Sequence, residues 1–101
     1  MNVLHEPEIK FEKLMLEHGV KTIGRSNDND IVIDDNSVSG KHARIATFFN
    51  ASYIEDLHST NGTHVNGQQV RQRILREGDT INIGTRCFIV SGINKLKVVP
   101  S

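Results

Sequence analysis

The sequence predicts an all-β protein, a sandwich of two mostly antiparallel sheets, and three observations support this. Turn-forming residues interrupt the chain about every 5 to 12 residues, which leaves no room for long helices. Most runs between these turns carry β-branched residues in alternation with polar ones, the pattern of strands with one buried face. An Asn66-Gly67 pair between two short runs is a strong signal for a tight hairpin.

The first half of the chain contains five runs that we predict to be strands. Alternation places Ile31 and Ile33 on the same face of the third run, with Val32 on the other. The fourth run alternates in the same way before two phenylalanines. The five runs are residues 9–16, 20–23, 31–33, 43–49 and 52–57.

The run 9–16 also permits another interpretation. Its Leu, Met, Glu and Lys residues favour a helix. We predict a strand because only about seven residues separate Ile9 from the His18-Gly19 turn, which is short for a helix and normal for one arm of a hairpin.

The second half of the chain continues the strand pattern. Residues 63–65 and 68–70 flank the Asn66-Gly67 turn, whose type I′ geometry needs the positive φ that Asn and Gly tolerate. In the run 80–83 the two isoleucines are expected to face inward. The run 87–90 is apolar throughout, which predicts a strand covered on both faces. Residues 93–99 are expected to form a closing strand.

Composition restricts the class of protein. A chain of 101 residues is one domain, and 37% hydrophobic and 24% charged residues suit a globular fold rather than a disordered or membrane-spanning one. Twelve basic residues balance twelve acidic ones, which argues against a general binder of nucleic acid or anionic membranes. The single cysteine, Cys87, cannot form an internal disulfide. Without a visible secretory signal, we expect a cytoplasmic or other reducing compartment.

Five polar residues lie in predicted loops, where packing does not require them. If these loops meet at one edge of the sandwich, they bring together a guanidinium, an ammonium, two hydroxyls and an amide, with no carboxylate. The residues are Arg25, Ser39, Lys41, Thr60 and Asn61. Such a donor-rich set suits an anion with several acceptor oxygens, and phosphate fits best.

The order of four short motifs resembles that of the forkhead-associated (FHA) domain family. The motifs are Gly24-Arg25, Ser39-x-x-His42, Ser59-x-Asn61-Gly62-Thr63 and Val65-Asn66-Gly67. Each is weak alone, but the four in this order are specific, and the resemblance extends over residues 20–91. It implies a β-sandwich of about eleven strands that binds phosphothreonine peptides through one set of loops. On this basis we expect residues 9–99 to form the domain and residues 1–8 to be a flank.

The resemblance also implies which residues contact the ligand. Arg25 would pair with the phosphate, and Ser39 would bond a phosphate oxygen. Asn61 would bond the peptide main chain, and Thr60 would help to hold the phosphate or shape the pocket for the threonine methyl group. Many members carry a polar or basic side chain where this chain has Gly40, so that contact is missing or made by the backbone N–H.

The remaining motif residues complete the expected site. Lys41 is basic and adjacent, and we include it among the contacts. His42 would buttress the loop rather than touch the ligand. Loop and hairpin geometry would be fixed by Gly24, Gly62, Asn66 and Gly67. The partner would be a protein phosphorylated by a Ser/Thr kinase. We expect no cofactor, no metal, no nucleic acid and no membrane, and the residues do not fix an oligomeric state.

Three alternatives to a phosphopeptide-binding module are open at this point. A hydrolytic triad of Ser39, His42 and Asp56 is disfavoured, because the sequence has no nucleophile-elbow motif. A zinc site of His42, His58 and His64 is disfavoured by spacings that match no common ligand pattern. The more serious alternative is a domain of the same fold that acts as a phosphate-independent interaction or dimerisation surface.

Overall fold

The computed structural model describes residues 10–92, which form two five-stranded β-sheets. Ten strands are present in this part of the chain, against the expected eleven or so, and residues 10–92 contain no helix. The strands are β1 (Phe11–Met15), β2 (Gly19–Gly24), β3 (Ile31–Val32), β4 (Ala43–Phe48), β5 (Ala51–Asp56), β6 (Thr63–Val65), β7 (Gln68–Val70), β8 (Gln72–Leu75), β9 (Thr80–Ile83) and β10 (Arg86–Ser91). The expected closing strand at 93–99 lies outside the described residues.

The strand order confirms an all-β sandwich. One sheet has the order β1-β10-β9-β6-β7 and the other β3-β2-β4-β5-β8. Pairing is antiparallel except for β1 with β10 and β2 with β3, which run parallel. Between the sheets lies a core that includes Ile23, Ile45, Ile54, Ile81 and Phe88. No helix among the described residues could cross a membrane.

The strand predicted near the N-terminus is present, but the hairpin expected around His18-Gly19 is wrong. β1 pairs with β10, with Phe11 opposite Cys87, whereas β2 pairs with β3 and β4 in the other sheet. The chain therefore crosses from one sheet to the other between β1 and β2. Leu14 and Leu16, on the inward face of this segment, are both buried in the core.

The Asn66-Gly67 hairpin is confirmed. Asn66 and Gly67 have φ angles of 51° and 82°, as a type I′ turn requires, and they join β6 to β7 with Val65 opposite Gln68. The Asn66 amide also donates to Asp79 (2.9 Å) and accepts from the backbone N–H of Thr80 (2.9 Å). The turn is thereby fastened to the start of β9.

Two other expectations need correction. β10 was predicted to be covered on both faces, but only Phe88 and Val90 are buried, while Cys87 and Ile89 on the other face are half-buried. The apolar run therefore reflects its position between β1 and β9 rather than two packed faces. Strand β8 was not predicted, because its two polar residues followed by two apolar ones do not show the alternation of a half-buried strand.

Candidate functional site

Three loops meet at one end of the sandwich because β2, β4 and β5 are paired antiparallel. Ile23 near the end of β2 pairs with Ala43 at the start of β4, and Ala43 also pairs with Asp56 at the end of β5. The segments that follow β2, precede β4 and follow β5 therefore begin side by side. We call residues 25–30, 33–42 and 57–62 the first, second and third loops.

Arg25 begins the first loop, and its main chain is bonded to the second loop. The Arg25 N–H donates to the Ser39 carbonyl oxygen (2.9 Å), and the Ser26 N–H donates to the Gly40 carbonyl oxygen (3.2 Å). These two bonds hold the first and second loops together beyond the last β2–β4 pair. The Arg25 side chain is exposed and makes no hydrogen bond or ion pair with any residue from 10 to 92. Its guanidinium is available for a ligand.

Ser39 in the second loop contacts Thr60 in the third. The Ser39 Oγ accepts a hydrogen bond from the Thr60 N–H (3.0 Å) and lies 3.5 Å from the Thr60 Oγ1. Because 3.5 Å is too long for a strong hydroxyl–hydroxyl bond, the Ser39 hydroxyl hydrogen stays available as a donor. The contact also places the exposed Thr60 hydroxyl next to that of Ser39.

His42 is fully buried and joins the second loop to the third. The Ser39 N–H donates to its Nδ1 (3.1 Å), so Nδ1 carries no hydrogen. The Nε2 therefore carries the hydrogen and donates to the Gly62 carbonyl oxygen (2.9 Å). With 0% exposure the His42 side chain is closed off from solvent, and it bonds main-chain groups of both loops.

The Asn61 side chain is positioned by a chain of contacts that reaches the other sheet. Its Nδ2 donates to the Ser37 carbonyl oxygen (2.8 Å). Ser37 is held by Asp35, which accepts from its N–H (2.8 Å) and hydroxyl (2.7 Å). The second carboxylate oxygen of Asp35 accepts from the N–H (3.0 Å) and hydroxyl (2.8 Å) of Thr85, between β9 and β10. These bonds from Ser37 and Thr85 hold the pKa of Asp35 well below its usual range.

Asp56 anchors the third loop. Its Oδ1 accepts from the Ser59 hydroxyl (2.5 Å) and the Thr63 hydroxyl (2.7 Å), and its Oδ2 accepts from the Ser59 N–H (3.0 Å). The Ser59 Oγ in turn accepts from the Gly62 N–H (2.9 Å). Partial burial raises the pKa of Asp56, but the hydrogen bonds from Ser59 and Thr63 outweigh burial and leave that pKa lowered.

Two of the motif glycines are required, Gly24 by close approach of main chains and Gly62 by its positive φ. A Cβ on Gly24 would lie 2.2 Å from the Gly40 carbonyl oxygen, so the first and second loops could not meet with any other residue there. Gly62 has a φ of 88°, and a Cβ on it would lie 2.7 Å from the Gln69 Nε2. Gly40 itself is exposed and turns its carbonyl oxygen toward the first loop.

Lys41 lies in the second loop, but its charge is already paired. Its Nζ is 2.9 Å from the Asp28 Oδ2, and the side chains are 56% and 66% exposed. The hydrogen bond and the positive charge of Lys41 lower the pKa of Asp28. An ion pair this exposed is weak, so a phosphate group could compete for Lys41.

The structure shows supporting residues that the sequence did not reveal. Asn29 is 7% exposed and donates from Nδ2 to the Ser26 (2.8 Å) and Gly40 (2.7 Å) carbonyl oxygens. Asp35, Ser37 and Thr85 were likewise missed. All lie in turn-rich segments where Asn, Asp, Ser and Thr are common, so composition carried no signal of burial or of a specific partner.

The Asn66-Gly67 turn lies outside the three loops, and neither of the disfavoured side-chain groupings is formed among residues 10–92. The Asn66-Gly67 turn lies at the start of β9, at the end of the sandwich away from the three loops, and fixes hairpin geometry there. Ser39, His42 and Asp56 do not form a relay, because both nitrogens of His42 bond main-chain groups and Asp56 bonds Ser59 and Thr63. Residues 10–92 hold no group of three or more metal-ligating side chains.

A β-sandwich with exposed hydrogen-bond donors on three converging loops belongs to the class of ligand-binding modules whose recognition surface lies in loops. The model of the FHA domain family matches residues 21–84, and the chain belongs to that family. This confirms the family indicated by the four sequence motifs.

Relatives and solved structures support the same assignment. The chain is 44% identical over 69 residues to the ABC transporter ATP-binding/permease protein Rv1747 of Mycobacterium tuberculosis, a match covering 68% of this chain and 8% of that protein. It is also similar to the structure of Mycobacterium tuberculosis EmbR in complex with a low affinity phosphopeptide, with a TM-score of 0.70, 40% identity, and coverage of 73% of this chain and 20% of that one. A structure described in terms of phosphothreonine-dependent FHA domain interactions matches with a TM-score of 0.68, 36% identity, and coverage of 71% and 75%.

Proposed function

We propose that this domain binds a phosphothreonine-containing segment of another protein at the three loops and catalyses no reaction itself. The observation that carries the proposal concerns the hydrogen bonding of the Arg25 main chain and the exposure of its guanidinium. Its main chain is bonded to Ser39, while its guanidinium is exposed and unpaired within the described residues. A guanidinium whose N–H donors are unpaired, on a residue whose main chain is bonded to that of Ser39, suits the oxygens of a phosphate group.

The proposed roles follow from the free hydrogen-bonding groups. Arg25 pairs with the phosphate, and the Ser39 hydroxyl donates to a phosphate oxygen, with Thr60 beside it. The Gly40 N–H and the ammonium of Lys41 are further donors within the second loop. The Asn61 amide, fixed by Ser37, presents its carbonyl oxygen and second N–H to the peptide main chain.

The magnitudes suit a reversible, phosphate-dependent interaction. A phosphothreonine carries about −1.5 to −2 charge and three acceptor oxygens. Four charge-assisted hydrogen bonds at about 1.5–3 kcal/mol each give about 6–12 kcal/mol, against an association cost of at least about 4 kcal/mol. With main-chain contacts added, we expect micromolar affinity for the phosphorylated segment and very weak binding of the unphosphorylated one.

The wider setting is part of the same proposal. The partner is a protein that a Ser/Thr kinase has phosphorylated, and the domain occupies residues 9–99 with a flank at 1–8. A single cysteine that cannot pair within the chain suits a reducing, cytoplasmic compartment. The placement of His42 and Asp56 supports a role without catalysis, since neither is oriented to activate the Ser39 hydroxyl.

The test is a binding measurement with two peptide libraries, one with a fixed phosphothreonine and one with threonine at the same position. We expect binding of the first only. Arg25→Ala should weaken binding by at least about 30-fold without a change in melting temperature, since loss of a charged partner costs about 2–4 kcal/mol. Equal binding of the two libraries would instead favour a phosphate-independent interaction surface.

Arg76→Ala is the matched control for Arg25→Ala. Arg76 is also exposed, and it follows β8, whose Leu75 pairs with Ser52 at the end of the sandwich away from the three loops. Both substitutions change the net charge by the same amount. Equal effects of the two on affinity would show that Arg25 acts only through net charge, and would refute its assignment.

A further inference from the structure

The first and second loops are joined by a buried asparagine outside the apolar core. Asn29 is 7% exposed, and its Nδ2 donates to two carbonyl oxygens, those of Ser26 (2.8 Å) and Gly40 (2.7 Å). Its Oδ1 is buried and has no hydrogen-bond partner among the described residues. A buried acceptor without a partner is destabilising, so the benefit of an asparagine at this position comes from the two hydrogen bonds that its Nδ2 donates.

These two bonds hold the main chain of Ser26 and Gly40, which are the residues next to Arg25 and Ser39. The Gly40 carbonyl oxygen accepts from both Asn29 and the Ser26 N–H, and the neighbouring Ser39 carbonyl oxygen accepts from the Arg25 N–H. The close approach at Gly24 is part of the same arrangement, because a Cβ there would lie 2.8 Å from the Asn29 Nδ2. Asn29 therefore packs directly against Gly24, between the two loops.

We propose that Asn29 is a positioning residue for phosphate recognition, which fixes the Arg25 loop against the Ser39-Gly40 segment and does not touch the ligand. The inference rests on the proposed function of the loops. It assigns Asn29 a role distinct from that of a core residue, since its side chain bonds only loop carbonyls and is absent from the apolar cluster between the sheets.

The experiment compares Asn29→Ala and Asn29→Asp with Ser52→Ala. Ser52 is 1% exposed and its hydroxyl bonds that of Thr47 (2.8 Å) at the end of β4 away from the three loops. The control therefore also removes one partner of a buried hydrogen bond, but far from the site. All variants are measured as the whole chain, for melting temperature and for affinity to the fixed-phosphothreonine library.

We expect all three substitutions to lower the melting temperature. Only the two substitutions at Asn29 should lower affinity, by about tenfold or more. The affinity of Ser52→Ala should stay within about twofold of that of the unsubstituted protein. Asn29→Asp keeps the side-chain shape but loses both donors, so it should bind at least as poorly as Asn29→Ala. If Asn29→Asp does not fold, Asn29→Ser, with one shorter donor, should give an intermediate loss. An affinity loss in Asn29→Ala no larger than in Ser52→Ala would overturn the assignment.

A measurement without ligand separates this inference from the proposed function. In Asn29→Ala, amide hydrogen exchange at Arg25 and Ser26 should accelerate at least tenfold more than at core residues such as Ile54, whereas Ser52→Ala should show no such local excess. Unchanged local exchange in Asn29→Ala would overturn the positioning role. If instead the unsubstituted protein binds neither library while the exchange result holds, the proposed function fails and the joining of the loops by Asn29 stands.

Discussion

Replacing His42 with alanine should be among the most destabilising single changes at the site, although its side chain is closed off from solvent. The imidazole is fully buried and bonds the Ser39 N–H and the Gly62 carbonyl oxygen. Alanine would leave both main-chain groups without a partner, at about 1–3 kcal/mol each, and would leave space where the ring was. The two groups alone give about 2–6 kcal/mol, and we take about 3–5 kcal/mol, from the middle of this range, as the expected cost, which is a large share of the stability of a small domain.

Thermal and urea unfolding, followed by circular dichroism, measure this cost. For a domain of this size, 3–5 kcal/mol corresponds to a fall in melting temperature of about 15–25 °C. His64→Ala is the control, because His64 is only half-buried on β6 and its side chain has no hydrogen-bond partner among the described residues. It should cost less than about 1 kcal/mol. A His42→Ala cost equal to that of His64→Ala would refute the reasoning.

The tautomer of His42 gives an independent check. The bond from the Ser39 N–H requires an unprotonated Nδ1, and the Gly62 carbonyl oxygen requires a hydrogen on Nε2. Nitrogen-15 spectra of the ring should therefore show Nε2 as the hydrogen-bearing nitrogen at neutral pH. The opposite tautomer would mean that the two loops are not joined in this way.

Two further predictions concern acidic residues. Because the pKa of Asp56 is lower in the folded than in the unfolded protein, its contribution to stability is present above about pH 4 and is lost as pH falls through the folded pKa. Asp56→Asn should lower the free energy of unfolding by about 1–3 kcal/mol at neutral pH. Between about pH 4 and 2, the unfolding midpoint of this variant should fall less steeply than that of the unsubstituted protein. Equal slopes of midpoint against pH for the two proteins would contradict this. Asp28→Asn releases Lys41 and should raise phosphopeptide affinity about two- to fivefold at low salt, as measured by calorimetry, with no gain at about 1 M salt. A loss of affinity would show that the ion pair positions Lys41 rather than withholding it.

The strands that the sequence predicted well are those whose signal is local. The hairpin at Asn66-Gly67 follows from the backbone preferences of two residues, and Ile81 and Ile83 alternate as expected and are fully buried. The path between β1 and β2 could not be predicted, because a short turn looks the same whether it joins neighbours in a sheet or crosses the sandwich. That choice depends on which partner β1 finds, and β10 lies more than seventy residues further along the chain.

For the site, the sequence revealed the exposed residues but not what holds them. Arg25, Ser39 and Asn61 stand out because donor-rich side chains in loops have no packing role. Asn29 and Asp35 do not stand out, because their partners are a carbonyl oxygen or a hydroxyl on another loop. Hydrogen bonds to main-chain atoms produce no recognisable sequence pattern, so the contacts that hold these loops can be identified only from the structure.

The separation between exposed donor residues and the buried contacts that hold the loops also affects binding affinity. The main-chain groups of Ser37, Ser39, Gly40 and Gly62 are bonded to other parts of the protein before any ligand binds. Little loop ordering is therefore left for the binding step, and most of the entropic cost falls on the peptide. It follows that substitutions of exposed residues on the three loops should change affinity with little change in stability. Substitutions of the buried residues that hold these loops, such as His42 and Asn29, should change both, so Asn29→Ala should bind weakly even at temperatures where it is fully folded.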